Sequence, residues 1–228
     1  ESMRAAAPFN QRIRLEGGAN VLAAAEAAGV RYLRQSIAFW AEPGPGLADE
    51  STPFASDASP AVAADLRVVA EIERRLLESP HVEGIALRYG FFYGPGTWFN
   101  PDGDVADQVR KQQFPIIGSG DGTWSWLHVD DAASATVAAA ERGNPGVYLI
   151  VNDHPLPVRQ WLPEFAAWLN APLPPRVSVE EALTAVGSDA VYYGTQLRGA
   201  SNAKAKRDLQ FQPRRLEWIA AGAPTGNP

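Results

Sequence analysis

Residues 82–96, Val82-Glu83-Gly84-Ile85-Ala86-Leu87-Arg88-Tyr89-Gly90-Phe91-Phe92-Tyr93-Gly94-Pro95-Gly96, pass from a strand to a loop within a few positions. The run from Val82 to Leu87 mixes β-branched and aliphatic residues, as a strand buried in an α/β sheet does. Gly90, Gly94 and Gly96 then let the backbone approach a neighbour closely, Pro95 stiffens the turn, and aromatic rings surround it. Ligands of open α/β sheets sit beyond the carboxyl ends of the strands, which is where this loop falls. A tight aromatic turn that only packs accounts for the same residues.

The elements on either side support a parallel sheet. Upstream, Ile13, Val21, Leu22 and Ala25 recur at helical spacing over residues 10–28, and Gly29 is a C-terminal stop. A short strand at 31–37 and a Gly/Pro-rich loop at 41–53 follow. The spacing of Val62, Leu66, Val69, Ile72 and Leu76 predicts a helix over 60–78, with Pro60 in its first turn. Helix, strand, helix, strand in this order implies parallel strands joined by crossover helices. Downstream, a helix is expected at 104–112, a strand at 124–129, a helix at 131–142 capped by Asp130 or Asp131, a strand at 146–151 and an amphipathic helix at 157–169. The tail from Ser178 reads as short helices around a loop.

With 228 residues, 46% of them hydrophobic, the chain can bury a full core. A net charge of -6 without a long basic run argues against a nucleic-acid partner. No stretch approaches the roughly 20 apolar residues that span a bilayer, and the N-terminus shows no signal-peptide core, so no membrane partner is expected. The absence of cysteine removes disulfides, thiol nucleophiles and thiolate metal sites together and suits a cytoplasmic protein. The three histidines have no ligand spacing, so no metal site is expected.

Four segments, in order, carry a resemblance to a known family. They are Gly18-Ala19-Asn20-Val21-Leu22-Ala23-Ala24-Ala25 continuing to Ala28-Gly29-Val30, Leu87-Arg88-Tyr89-Gly90 through Tyr93-Gly94-Pro95-Gly96, Trp126-Leu127-His128-Val129-Asp130-Asp131-Ala132-Ala133, and Ser201-Asn202-Ala203-Lys204-Ala205-Lys206 with Leu209 and Pro213. Together they resemble the extended short-chain dehydrogenase/reductases, the NAD-dependent epimerase/dehydratase family. The resemblance implies an α/β fold: part of a doubly wound, Rossmann-like parallel sheet from residues 1–101 and 123–150, with a smaller mixed C-terminal substrate lobe from 102–122 and 151–228. It implies an oxidoreductase or epimerase/dehydratase that uses NAD or NADP for hydride transfer on a small hydroxyl or carbonyl compound. It places Tyr89, Gly90, Phe91, Tyr93 and Gly94 beside the nicotinamide. The helices at 10–28 and 60–78 are the pair that family members use in a four-helix dimer, which implies a homodimer.

The departures from the family pattern are equally specific. A dinucleotide fold holds its pyrophosphate on a glycine-rich turn at a helix N-terminus. Here Gly17-Gly18 lies within a helical run, and Gly118-Ser119-Gly120-Asp121-Gly122 has no helix after it. The expectation is that the sequence is the C-terminal part of a longer protein. The family's tyrosine and lysine, one helical turn apart, exchange a proton with a substrate hydroxyl. Matching the second helix by Glu71 puts Ala63 and Arg67 at those positions, and matching by Glu73 puts Asp65 and Val69 there. The remaining catalytic candidates are Ser36, near the family's hydroxyl position, and Tyr93 or Tyr89 as a substitute phenol. Arg88 is expected to pair with a carboxylate or a backbone carbonyl, and His128 to fix the turn before a helix. Trp124 stands near the arginine that grips the diphosphate in relatives acting on nucleotide sugars. Its presence argues for an apolar or aromatic small molecule instead, although Trp124 and Trp126 read equally as core residues, and Arg198 is a candidate for an anionic group of the substrate. Lys204 and Lys206 read as solvated charges. A non-catalytic protein that keeps the old cleft for a small molecule or protein partner fits the missing dyad as well.

Overall fold

The computed structural model describes residues 3–219. The chain opens with α1 (Met3–Arg12), a π-helical turn (Ile13–Gly17) and α2 (Gly18–Ala28), so the predicted helix starts earlier and carries one widened turn at the Gly17-Gly18 pair. Gly29 ends it in the left-handed region at φ 62°, its amide bonded back to Glu26. Strand β1 (Tyr32–Ile37) follows, and α3 (Pro60–Glu78) has the predicted bounds, with Pro60 at its start.

The decisive stretch differs from its sequence reading in an instructive way. Strand β2 spans Gly84–Tyr89, two residues later than expected, so Arg88 and Tyr89 belong to the strand. A side chain at Gly84 would place its Cβ 2.6 Å from the Leu76 carbonyl oxygen; glycine there lets α3 settle onto the strand. The chain breaks only at Gly90 and resumes as β3 (Phe91–Tyr93). There follow α4 (Asp104–Arg110), β4 (Ile116–Ile117), β5 (Thr123–Trp124), β6 (Trp126–His128), α5 (Val129–Arg142) and β7 (Gly146–Ile150). The last elements are β8 (Leu156–Pro157), α6 (Val158–Trp168), β9 (Arg176–Val177), α7 (Val179–Ala185), α8 (Ser188–Thr195) and α9 (Ala203–Leu209).

The main sheet is parallel throughout, in the order β1-β2-β7, with Ser36 opposite Arg88 and Arg88 opposite Leu149. Strand β2 is central and buried along its whole length, and its two faces differ with the strand period of two. Ile85, Leu87 and Tyr89 pack with the alanine face of α5 and with α9, while Gly84 and Arg88 meet Leu76 and Glu73 of α3. Helices therefore cover both faces, as a parallel sheet requires.

Beyond the sheet, β3 pairs with β6 in parallel, β5 with β8 antiparallel, and β4 with β9 in parallel. The single strand expected at 124–129 is split at Ser125, whose carbonyl accepts from the Phe91 amide (2.8 Å) and whose hydroxyl accepts from the Ala200 amide (2.8 Å). Helix α5 begins two residues earlier than predicted. Its N-cap is His128, not an aspartate: Nδ1 accepts from the Asp130 amide at 3.1 Å. Asp131 instead accepts from the backbone amide and Nε of Arg214, pinning the tail. Lys204 and Lys206 are engaged rather than free. The Lys204 ammonium donates to the Val147 carbonyl and lies 4.3 Å from the Tyr148 ring centre, and Lys206 pairs with Asp153 at 2.5 Å. Among the described residues no helix is long and apolar enough to cross a membrane.

Candidate functional site

Two clusters meet where β1 and β2 end. The first is a buried ion pair. Glu73 is turned inward from α3 and accepts from Arg88 Nε at 3.1 Å on each carboxylate oxygen and from Nη2 at 2.5 Å. The Arg88 guanidinium also lies 4.2 Å from the Phe54 ring centre, and its Nη1 reaches the Thr52 carbonyl at 3.4 Å. Arg88 thus takes both of its expected kinds of partner. Ser36 donates to the same glutamate, Oγ to Oε2, at 2.6 Å. Three elements, β1, β2 and α3, are tied together by one carboxylate, and the serine hydroxyl is committed to that task. Glu71, the other glutamate used to match the family's helix, lies on the outer side and pairs with Arg74 and Arg75. Under either match α3 carries no phenol and ammonium one turn apart.

The second cluster is aromatic. Phe91 lies between Phe39 (centroids 4.0 Å apart, planes at 17°) and Trp124 (3.9 Å, 18°), forming a column of three rings. Tyr193 of α8 stands at 6.1–6.2 Å from all three. Its hydroxyl accepts from Trp40 Nε1 (3.0 Å), and Trp124 Nε1 donates to its carbonyl (2.9 Å). Burial, with Asp189 and Asp65 adding to it against the Trp40 bond, pushes the Tyr193 phenol up to about 12. Deeper in, Trp126, Trp161, Phe99, Phe165 and Trp218 meet edge to face.

The other candidates fall around these clusters. Tyr89 is buried and its hydroxyl bonds Thr136 on α5, on the face of the sheet away from the ion pair; burial raises its pKa. Gly90 passes Ser125 so closely that a Cβ would sit 2.5 Å from that carbonyl oxygen. Gly94, at φ 100°, is seated against the His128 ring. The close approaches that these two glycines allow are thus made within the chain. Tyr93 is fully buried between the His128 and Trp218 rings, its hydroxyl 3.4 Å from the Arg215 carbonyl. Burial pushes its pKa up, helped by Asp131 and Glu217. So placed, the Tyr93 phenol works as part of the core and has no open face on which to donate a proton. Arg198 spends its guanidinium on the carbonyls of Glu42, Pro45, Gly46 and Leu47, holding the irregular loop in place instead of facing an anionic ligand.

The residues present meet only part of what a dinucleotide needs. Among the described residues no glycine-rich turn leads into a helix that could hold a pyrophosphate: Gly17 and Gly18 lie inside the first helical run, and residues 118–122 run into β5. What is present is the wall at the carboxyl end of β2. Sequence reasoning found Trp124 and the Tyr89–Phe91 segment but not Phe39, Trp40, Tyr193 or Glu73 as a group. Seven tryptophans in 228 residues were the available signal, and it carries no information on proximity.

The family model for NAD dependent epimerase/dehydratase matches residues 2–151. A 3-diazoavenalumate denitrifying reductase of Streptomyces sp. is 43% identical over 210 residues, which cover 91% of this chain and 69% of that protein. A 2-alkyl-3-oxoalkanoate reductase of Stenotrophomonas maltophilia (strain K279a) is 29% identical over 168 residues, 68% of this chain and 50% of that one. Among solved structures, a dTDP-glucose 4,6-dehydratase of Streptomyces venezuelae with NAD bound superposes with a TM-score of 0.71 at 20% identity, covering 95% of this chain and 67% of that one. A UDP-glucose 4-epimerase of Thermotoga maritima gives a TM-score of 0.69 at 17% identity, covering 93% and 68%. The chain thus spans 50% to 69% of the length of these four proteins. The likeness of fold and the match over residues 2–151 agree on one point: the chain belongs to the NAD-dependent epimerase/dehydratase family.

Proposed function

We propose that the protein acts as an NAD(P)H-dependent reductase that replaces the diazo group of a small aromatic compound with hydrogen. The observation that carries this reading is the helix α3, which lacks a tyrosine–lysine dyad under either match, in a chain 43% identical to a denitrifying reductase of a diazo compound. Reduction of a carbonyl leaves an alkoxide, which needs a proton from a positioned acid. Loss of dinitrogen does not. The C–N bond breaks with its electron pair leaving on dinitrogen, hydrogen arrives at the same carbon with a new pair, and no oxygen is left charged. NAD or NADP, in reduced form, supplies that hydride when bound. Ala63 and Arg67 then cost the reaction nothing.

The part played by this chain is to build a dry, shaped wall. In this reading Tyr89, Gly90 and Phe91 border the nicotinamide at the end of β2, Tyr93 and Gly94 support them from within, and the rings around Trp124 receive the substrate. Ser36 serves through Glu73 as part of the frame. Ala63 and Arg67 also favour a second reading, a non-catalytic relative that keeps the cleft to bind a small molecule or a protein.

The test uses the full gene product, including whatever the reading frame encodes upstream of Glu1. Incubated with NADH or NADPH and an aryl diazonium salt, it should oxidise the cofactor and release arene and dinitrogen in equal amounts, with no turnover of a matching aryl ketone. Turnover of the ketone alone would overturn the diazo reading. No saturable quenching of tryptophan fluorescence at millimolar NADH or NADPH would remove the reductase reading and leave the binding protein.

A further inference from the structure

Between α6 and β9 the chain runs Ala171-Pro172-Leu173-Pro174-Pro175, after a left-handed turn at Asn170 (φ 53°) beyond the helix. Three of these five residues are proline, whose ring fixes φ near about −65° and favours the polyproline II helix, with about three residues per turn. Burial follows that period. Pro174 is buried, and Ala171 and Val177, on either side of it by one such turn, are half-buried, so one edge of the segment rests on the protein. Pro172, Leu173 and Arg176 are exposed. Leu173 and Arg176, again one turn apart, share an outward edge, and Pro172 and Pro175 share the other.

The segment is tied down without being covered. The Ala171 amide donates to the Ala166 carbonyl (2.8 Å), Gln112 Nε2 to the Leu173 carbonyl (3.2 Å), and the Ile116 amide to the Pro175 carbonyl (2.8 Å). Among the described residues nothing donates to the carbonyls of Pro172 and Pro174. Leu173 is 74% exposed, more than any other large apolar side chain described. Arg176, and Lys111 next to Gln112 in the chain, form no ion pair with a described carboxylate. A single exposed leucine is ordinary on a protein surface. A leucine and an unpaired arginine in phase on a fixed proline ridge are a pattern that a partner can read.

We infer that residues 172–176 are a docking ridge for a protein domain that recognises polyproline II, with an aromatic groove for the prolines and Leu173 and a carboxylate pocket for Arg176. Such grooves take a ligand that is already extended, donate to its carbonyls, and need none of the backbone N–H groups that proline lacks. The open carbonyls of Pro172 and Pro174 suit those donors. The sign of the partner follows from Arg176 and Lys111, two cations that no described carboxylate neutralises. Anchoring at Ala171, Leu173 and Pro175 has the ridge ordered before it binds, which lowers the entropic cost of docking. This surface does not depend on the reductase reading.

The probe is a purified SH3 domain with an acidic specificity pocket, titrated with the full gene product and followed by the NMR shifts of the domain. Saturable binding is expected, with the shifts confined to its aromatic groove and acidic pocket. Arg176→Glu should weaken it about tenfold or more, by setting like charges against each other. Leu173→Ser should weaken it about fivefold, through lost apolar contact. Both side chains are exposed, so neither change threatens the fold, and circular dichroism of each variant checks that. A free peptide of residues 171–178 should bind more weakly than the folded chain, because it must be ordered on binding. No saturable binding by the chain, or binding that Arg176→Glu leaves unchanged, overturns the ridge. Binding by the peptide and not by the chain overturns it too, since the fold would then be hiding the segment.

Discussion

The ion pair under β1 and β2 and the aromatic cluster beyond them are both buried, yet they handle polar atoms in opposite ways. Around Glu73, each partner is answered: Arg88, Ser36 and the Thr52 carbonyl share hydrogen bonds in one network. In the aromatic cluster the indole N–H groups of Trp126, Trp161 and Trp218 are buried with no hydrogen-bond partner among the described residues. Those rings meet edge to face, an arrangement that offers an N–H the π face of a neighbour but no oxygen. The difference separates two ways of fixing a structure. The first region is specified by charge and has few alternatives, because an unmatched charge inside a protein is expensive. The second is specified by shape and tolerates exchange between rings of similar size.

The comparison can be broken most forcefully at the ion pair. Glu73→Ala strands the Arg88 charge and should cost about 3–5 kcal/mol, read as a lower urea midpoint. Glu73→Leu with Arg88→Met removes both charges and should recover most of that loss; a double variant as unstable as the single one would show that packing, not pairing, sets the cost. A smaller effect is expected at Trp161→Phe. No hydrogen bond is lost there, so only volume is, at about 1–2 kcal/mol. A loss as large as that of Glu73→Ala would mean that the indole N–H has a partner of its own.

The gentlest probe is alkaline pH. Tyr193, held up to about 12, and Tyr89, Tyr93, Tyr148 and Tyr192, all raised by burial, keep their protons longer folded than unfolded. A raised folded pKa contributes stability that is complete below the unfolded value near 10 and lost as pH climbs through the folded one. Thermal stability should therefore decline from about pH 10 upward. Tyr193→Phe should make the decline shallower, and an unchanged slope would contradict the assignment. It also leaves Trp40 Nε1 without its acceptor, at about 1 kcal/mol at neutral pH.

What the sequence revealed divides along the same line. Helix α3 was legible to its ends because Pro60 and the apolar stripe from Val62 to Leu76 are local signals. The start of β2 was misplaced by two residues because Gly84 answers to Leu76 across the interface, not to its neighbours in sequence. The break at Ser125 depends on Phe91 and Ala200, far away in the chain, so Trp124-Ser125-Trp126 reads locally as continuous strand. His128 takes the capping role that two aspartates also advertise, and the aspartate nearest the core goes to Arg214. In the site, Arg88 announced that it needed a partner, but its choice of Glu73 over Glu71 is a matter of which helix face turns inward. The aromatic column joins residues 39, 91, 124 and 193, and no spacing in the sequence brings those four together.

The protonated state of Tyr193 has a chemical consequence beyond stability. Aryl diazonium ions couple readily to phenolates, forming azo compounds, and react far more slowly with neutral phenols. A tyrosine at the ordinary pKa beside such a ligand would carry a small phenolate fraction at neutral pH and be slowly dyed by it. With its pKa pushed up to about 12, Tyr193 lowers that fraction further. Burial, the main cause of that shift, would thus also keep the phenol from being consumed by such a reagent.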